Sequence, residues 1–390
     1  LGRVEWIKVF GLLSGREKQA DSLFNATESN YGRLRELAKN EEKRPKLISE
    51  RKYGSTWFTA GGASYMAVMY RDAGADYIAV ATVKEGVELR QGGIKLPILI
   101  LTAGTEMYPQ VIEYNLEPGM PNVSSLEKFA EVLKAQGISK YPVHIKFDTG
   151  MHRLGFMEPE LPALKEFLLA HPEVEAKSLY THLAGADSSE HDEFTLGQLS
   201  LFDRLSSDVL AALPYKPMRH AFNSAGIERF AEKYPQYQYD MARLGIGIYG
   251  ISYVDDKNMK PSAYYRCPIV QIKTLGPNDG TVGYGRHGKL GPNGKTIATI
   301  PVGYADGINR HLSRGAASFE VNGHLCPTIG NVCMDMCMID ITGVDAKVGD
   351  TVTIFGDNPT ANDLAAILDT IPYEIYTSVP ARVKRVVTGI

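Results

Sequence analysis

Cysteine is scarce in this chain. Only four occur among 390 residues, Cys267, Cys326, Cys333 and Cys337, all in the last third. That is too few for a disulfide scaffold and fits a reducing compartment, read here as the cytoplasm. Net charge is nearly absent as well: 42 basic side chains against 45 acidic ones leave −3. So even a balance gives no bulk attraction to nucleic acid or to an anionic membrane. No apolar run approaches the roughly 18 residues that a membrane span needs. The opening "LGRVEWIKVFGLL" is not followed by a clear small-residue cleavage site, so it does not read as a secretory signal. The chain starts at Leu1 rather than Met, as a fragment, a processed form or a domain of a longer protein would. Internal repeats, low-complexity tracts and long flexible linkers are missing too. What remains, 44% hydrophobic and 22% charged, is ordinary globular composition, and the length allows a large core and two domains.

From about residue 60 to 250, short apolar strands alternate with amphipathic helices. The strand candidates are "ADYIAVA" (75–81), "LPILIL" (96–101), "VIEYNL" (111–116), "VHIKF" (143–147), "EAKSLYTHL" (175–183), "MRHAF" (218–222) and "YDMARLGI" (239–246). Helical patterns lie between them: "VKEGVELRQGG", "SSLEKFAEVLKAQG", "LPALKEFLLAH" and "EFTLGQLSLFDRLSSDVLAAL". "SSLE", from Ser124 to Glu127, resembles a capping box, and Gly137 sits where a C-cap glycine would. About eight such units predict an α/β fold, a (β/α)8 barrel rather than an open sheet. After residue 255 the strands become "CPIVQIKTL", "KTIATIPVGYA", "ASFEVNGHLCPTIG", "CMDMCMIDI" and "GDTVTIFG", punctuated by Gly, Asn and Asp turns. That pattern predicts a mostly β domain. The expected division is a barrel over 15–255 and a β domain over 256–390, with residues 1–14 associated with the latter.

In a barrel, chemistry sits where strands run out at the C-terminal face. Here "VHIKFD" ends on Lys146 and Asp148 with Arg153 just beyond, and "SLYTHLAGAD" delivers Thr181 and His182. "HAFNSAG" delivers Asn223 and Ser224, and "MARLGIGIYG" delivers Arg243, Gly245 and Gly247. Each has an ordinary structural reading. A histidine at a strand end is commonly a hydrogen-bonded core group, and "NSAG" is a common helix N-cap. Asn and Ser at a helix start beside Gly-rich backbone can also cradle a phosphate. Four polar strand ends in succession favour a site. No metal is expected: "CMDMCMIDI" reads as a strand with buried thiols, and "SSEHDEF" as a solvated helix start with acids at the positive end of the dipole.

The motifs "KFDTGMHRLGF", "THLAGAD", "HAFNSAG", "MARLGIGIYG", "TVGYGRHG", "IPVGYADG", "GNVCMDM" and "PYEI" together resemble those of the alanine racemases, in that family's order, from about Ala75 to the end. The resemblance implies a homodimeric pyridoxal 5'-phosphate enzyme with active sites shared between subunits. It implies that Ser224 and the backbone around Gly245 and Ile246 bind the cofactor phosphate together with Tyr373, near Asn223. By the same resemblance, Arg243 would face the pyridine nitrogen with His182 behind it, and Arg153 would approach the cofactor's phenolic oxygen and the substrate. Tyr284 would be the second base, supplied by the partner, Met334 and Asp335 would also reach across to the substrate, and Tyr304 would narrow access to it. Lys146 matches a lysine that is carbamylated in many members and would orient Arg153.

The family's cofactor-bearing lysine falls where this chain reads "PKLISERKYGSTWFTAGGAS". The start of "KLISERK" puts Lys52 at that position, whereas counting back without gaps from "AGADYIAVA" puts Ser55 there. Two bases, Lys52 and Tyr284, suit racemisation, which needs one base on each face of a planar carbanion. The function implied is interconversion of L- and D-alanine for peptidoglycan synthesis. The alternatives are a racemase of broad specificity, or a non-catalytic cofactor-binding homologue if Lys52 does not carry the cofactor. A related barrel decarboxylase is disfavoured by Tyr284, Met334 and "VGYADG".

Overall fold

A computed structural model describes residues 75–254 and 259–386, the backbone of the strand Lys46–Arg51, and scattered positions between 18 and 29. Lys52, Ser55 and residues 1–14 lie outside the described residues. The chain divides into two compact units, the second running Ile246–Arg385 apart from a short masked stretch.

The first unit is a closed barrel of eight parallel strands in sequence order. They are β1 (Lys46–Arg51), β2 (Tyr77–Val80), β3 (Ile98–Ile100), β4 (Glu117–Met120), β5 (Tyr141–Lys146), β6 (Val174–Tyr180), β7 (Met218–His220) and β8 (Met241–Leu244). β8 pairs with β1 and closes the ring, Ile48 opposite Arg243. Several described strands carry buried aliphatic side chains on one side. Ile98, Ile100, Val143, Ile145 and Leu179 are fully buried, each such side chain contributing roughly 1.5–3 kcal/mol. Between β2 and β3 runs helix α1 (Val83–Gln91), which presses close to the sheet at Gly86. A Cβ there would meet Ile100 and Leu116. The opposite side of the strands is mixed: Tyr77, Ala79, Leu99 and Met241 form an apolar cluster, while His144, Ser178, His220 and Arg243, also fully buried, form a polar file.

Two expectations are corrected. "VIEYNL" is not a strand. Its first half belongs to helix α2 (Tyr108–Glu113), which buries Tyr108 and Val111 one turn apart, and the strand follows it as "EPGM". "SSLE" is not the capping box. The helix α3 (Val123–Ala135) starts earlier, because Asn122 accepts the Ser125 amide and caps it. Gly137 does follow the last turn of α3, at φ 67°, with its amide on the Lys134 carbonyl.

The second unit is mostly β. A three-stranded sheet joins Gln271–Leu275, Lys295–Ile300 and Cys337–Asp340. A four-stranded sheet joins His324–Pro327, Ser318–Val321, Thr351–Phe355 and Tyr265–Pro268. "EVNGHL" is a tight hairpin. Asn322 and Gly323, both at positive φ, turn Val321 onto His324, as an Asn-Gly pair does in a primed turn. Of "CMDMCMIDI", only Cys337–Asp340 is strand. Cys267, Cys326 and Cys337 belong to this unit's core, and burial pushes the Cys337 thiol up to about 12 and that of Cys326 to about 11. No described helix is long and apolar enough to cross a membrane.

Candidate active site

In the barrel unit, the polar residues gather at the C-terminal ends of β5 to β8. Arg243, on β8, is fully buried. Its Nη1 meets His220 Nδ1 at 2.8 Å, and its Nη2 donates to the carbonyls of Thr181 at 2.8 Å and Ala221 at 3.1 Å. His182 Nδ1 is further off, at 3.4 Å from Nη2. Burial holds the His220 imidazole well below its ordinary pKa, with the charge of Arg243 and then His144 adding to the effect. His220 is therefore a neutral acceptor facing a permanent cation. It was not singled out in the sequence, although it opens "HAFNSAG".

Two residues beyond Arg243, the amide of Gly245 donates to Ser224 Oγ at 2.9 Å. Ser224 is buried at the first position of helix α4 (Ser224–Phe230). Asn223 caps that helix by accepting the Gly226 amide at 2.9 Å, and its own amide reaches the Leu183 carbonyl at 3.4 Å. Asn223 is thus committed to holding the turn that places Ser224 beside Gly245.

Lys146 ends β5 and is buried. Asp148, two residues on, is engaged by its own loop: Oδ1 accepts the amides of Gly150 and His152, both at 3.0 Å, and Oδ2 lies 3.4 Å from His152 Nδ1. Burial alone would raise its pKa. The two amides and the His152 ring outweigh that and hold the carboxyl below its usual range. This loop presents Arg153 to solvent. Below it, the Thr149 and Thr181 hydroxyls meet at 2.7 Å, and Thr181 donates to the Phe147 carbonyl at 3.1 Å.

The second unit carries the remaining candidates. Tyr284 opens a short turn, Tyr284–Arg286, between glycines at φ 76° and 70°, and its ring is 73% exposed. Asn331 Nδ2 donates to the Tyr284 carbonyl at 2.9 Å. Further along the same loop, the carbonyls of Cys333 and Met334 accept the amides of Tyr304 and Ala305 at 3.0 and 2.9 Å. The backbones pass so closely that a Cβ on Gly303 would land on those two carbonyl oxygens. Tyr304 and Met334 are large and exposed, on two backbones joined by these bonds. Asp335 is tied to Arg382 at 2.7 Å, and Arg382 also bonds Asp306 at 2.8 Å. Ile246 is buried at the start of a short turn, and Tyr373 lies on helix α5 (Pro372–Ser378). No described group of three or more His, Cys, Asp or Glu could hold a metal ion.

The comparisons with known proteins agree with one another. Residues 58–253 match the family described as alanine racemase, N-terminal domain, and residues 263–387 match alanine racemase, C-terminal domain. An alanine racemase of Sorangium cellulosum is 35% identical, over 83% of this chain and 87% of its own. One from Treponema denticola is 36% identical over the same shares. Among solved structures, the alanine racemase of Clostridium difficile 630 has a TM-score of 0.77 at 31% identity, covering 92% of this chain and 91% of that one. That from a D-cycloserine-producing Streptomyces lavendulae has a TM-score of 0.80 at 28% identity, covering 93% and 94%. With both domain families matched in order across most of its length, the chain belongs to the alanine racemase family.

Proposed function

We propose that this protein interconverts L- and D-alanine with pyridoxal 5'-phosphate held at the C-terminal mouth of the barrel. The observation that carries the reading is the β8 end, where a fully buried guanidinium and a buried Ser–Gly pair stand two residues apart. That donor set fits the two poles of the cofactor. The hydroxyl of Ser224 and the backbone at Gly245 and Ile246 suit a phosphate, with Tyr373 as a further ligand. Arg243 suits a ring nitrogen, because it donates a hydrogen bond without giving up a proton. When bound, the cofactor acidifies the substrate Cα–H by withdrawing electrons.

The residues of the chain do the rest. Racemisation removes a proton from one face of Cα and returns one to the other, so two bases are needed. Lys52 serves one face and carries the cofactor. Tyr284 serves the other, from the partner subunit. The exposed rings of Tyr284 and Tyr304, with Met334 and Met336, are the kind of surface a second copy covers. The barrel, taken as 15–255, binds the cofactor, and the β domain, taken as 256–390, completes the partner's site. Met334 and Asp335 meet the substrate, and Arg153, oriented by a carbamylated Lys146, meets the cofactor's phenolic oxygen. His182 backs Arg243. The product is D-alanine for peptidoglycan, made in the cytoplasm.

The test is a hydrogen–deuterium exchange of L-alanine in heavy water with added pyridoxal phosphate. Deuterium should appear at Cα in both enantiomers. Borohydride reduction followed by digestion and mass spectrometry should place the cofactor on Lys52. No exchange and no adduct would refute the reading.

A further inference from the structure

The polar file inside the barrel is a continuous hydrogen-bonded line. It runs from Arg243 Nη1 to His220 Nδ1 (2.8 Å), from His220 Nε2 to Ser178 Oγ (2.9 Å), from Ser178 Oγ to His144 Nδ1 (2.6 Å), and from His144 Nε2 to Glu117 Oε2 (2.8 Å). It starts at the C-terminal end of β8 and crosses β7, β6 and β5. It ends at Glu117, the first residue of β4, at the opposite end of the barrel. Barrel interiors are ordinarily packed with branched aliphatic side chains. Here His144, Ser178, His220 and Arg243 are all fully buried. A buried polar file is costly unless every member is satisfied.

The proton positions follow from the chemistry of the groups. A guanidinium only donates, so His220 Nδ1 accepts. A neutral His220 then carries its proton on Nε2 and donates it to Ser178 Oγ. The hydroxyl has a single proton to give, and His144 Nδ1 is the acceptor on its other side. His144 then keeps its proton on Nε2 and donates it to the carboxylate. Every bond points the same way, from the cation to the anion. Aromatic rings hold the two imidazoles in plane. Tyr180 stacks on His220 at 4.9 Å and 2°, and Tyr77 stands edge-on to His144 at 5.9 Å. Burial, and then Glu117 beside it, keeps the Tyr77 phenol protonated. Arg90, a cation near Glu117, donates to the carbonyls of Ile94, Leu96, Tyr114 and Asn115.

We propose that Glu117, His144 and Ser178 are positioning residues for Arg243: they fix the tautomer of His220, and so the plane and hydrogen-bonding of the guanidinium, from the far end of the barrel. The proposal rests on the reading of Arg243 as the group that meets the cofactor ring. Its mechanism is polarisation along an aligned chain, in which each bond strengthens the next. Glu117 anchors the direction. Without its charge, His144 can turn its proton to Nδ1, Ser178 can reverse, and His220 loses its reason to leave Nδ1 open.

The experiment is nitrogen-15 NMR of the histidine side chains in the holoenzyme, with His220 assigned from its absence in His220→Gln. Both His220 and His144 should be neutral with the proton on Nε2. In Glu117→Gln, the His220 signals should shift or split. The kcat should fall roughly 10-fold, the low end of what losing an outer carboxylate partner of a histidine costs, with KM within about twofold. Ser178→Ala cuts the line in the middle, so adding Glu117→Gln to it should change kcat no further. A proton on Nδ1 of His220, a doubly protonated His144, or additive effects in the double variant would overturn the proposal. If a variant fails to fold, the tautomers of the unaltered protein still decide. They are read whether or not alanine is racemised, so the two readings fail separately.

Discussion

Arg243 and His220 are joined by a 2.8 Å hydrogen bond inside the barrel, shorter than the 3.4 Å contact between Arg243 and His182. The histidine that best orients the guanidinium is therefore on β7, next to the turn that carries Ser224. Replacing His220 by Ala leaves a buried guanidinium proton without its acceptor. The expected result is a loss of kcat of roughly 10- to 100-fold with the cofactor still bound, as for other outer-shell histidine partners. His182→Ala should cost less. Steady-state rates for the two variants, side by side, check the order.

Tyr284→Phe keeps the ring and removes the phenolic proton. If Tyr284 is one of two bases, racemisation should fall by roughly 10²- to 10⁴-fold, the usual contribution of a positioned acid or base. Mixing it with Lys52→Ala should restore activity, because one site of a mixed dimer keeps both bases. Mixed dimers isolated by differential tags and found inactive would rule out a shared site.

Lys146 carries a separate prediction. A carbamylated Lys146 is an anion able to take bidentate hydrogen bonds from an arginine. A crystal structure at about 2 Å should show a planar three-atom extension beyond Nζ, enough to tell a carbamate from a bare ammonium. A chloride ion in its place would refute the modification but keep the need for an anion there.

The Asp148 loop should respond to pH with a definite sign. The carboxyl is depressed in the folded state, so its stabilisation is present above the ordinary carboxylate pKa and is lost as pH falls through the folded value. Asp148→Ala removes two backbone partners and should cost about 2 kcal/mol at neutral pH. Urea unfolding at about pH 7 and about pH 3 should show the gap between variant and parent shrinking in acid. A constant gap would mean that the ionised form contributes nothing special.

Most of the barrel was legible because parallel strands covered on both sides read as apolar runs. β4 was not, since "EPGM" has poor strand formers. Gly119 is there for a reason that no local pattern contains: a Cβ would lie 2.7 Å from the Tyr180 hydroxyl, which reaches over from β6. The helix start at Asn122 was masked by the better-looking "SSLE". Of the proposed site, the strand-end residues Thr181, His182, Ser224, Arg243 and Gly245 stand out in the sequence as polar groups after apolar runs. His144, Ser178 and His220 did not. They occupy alternate positions within strands, and only the closed barrel turns that alternation into a single line. Lys52 lies outside the described residues.

Under the proposed function, in which Tyr304 and Met334 border the substrate, the close passage at Gly303 bears on how that specificity can be changed. Tyr304 and Ala305 are stitched by their amides to Cys333 and Met334, and position 303 has no room for a side chain. The two loops form one rigid plate with two exposed side chains on its edge. Swapping Tyr304 alone changes the outline of the plate but not its position, and remodelling either backbone drags the other along. Libraries aimed at bulkier substrates should therefore vary residues 304–305 and 333–335 together, keeping Gly303 fixed, rather than treat them as independent dials.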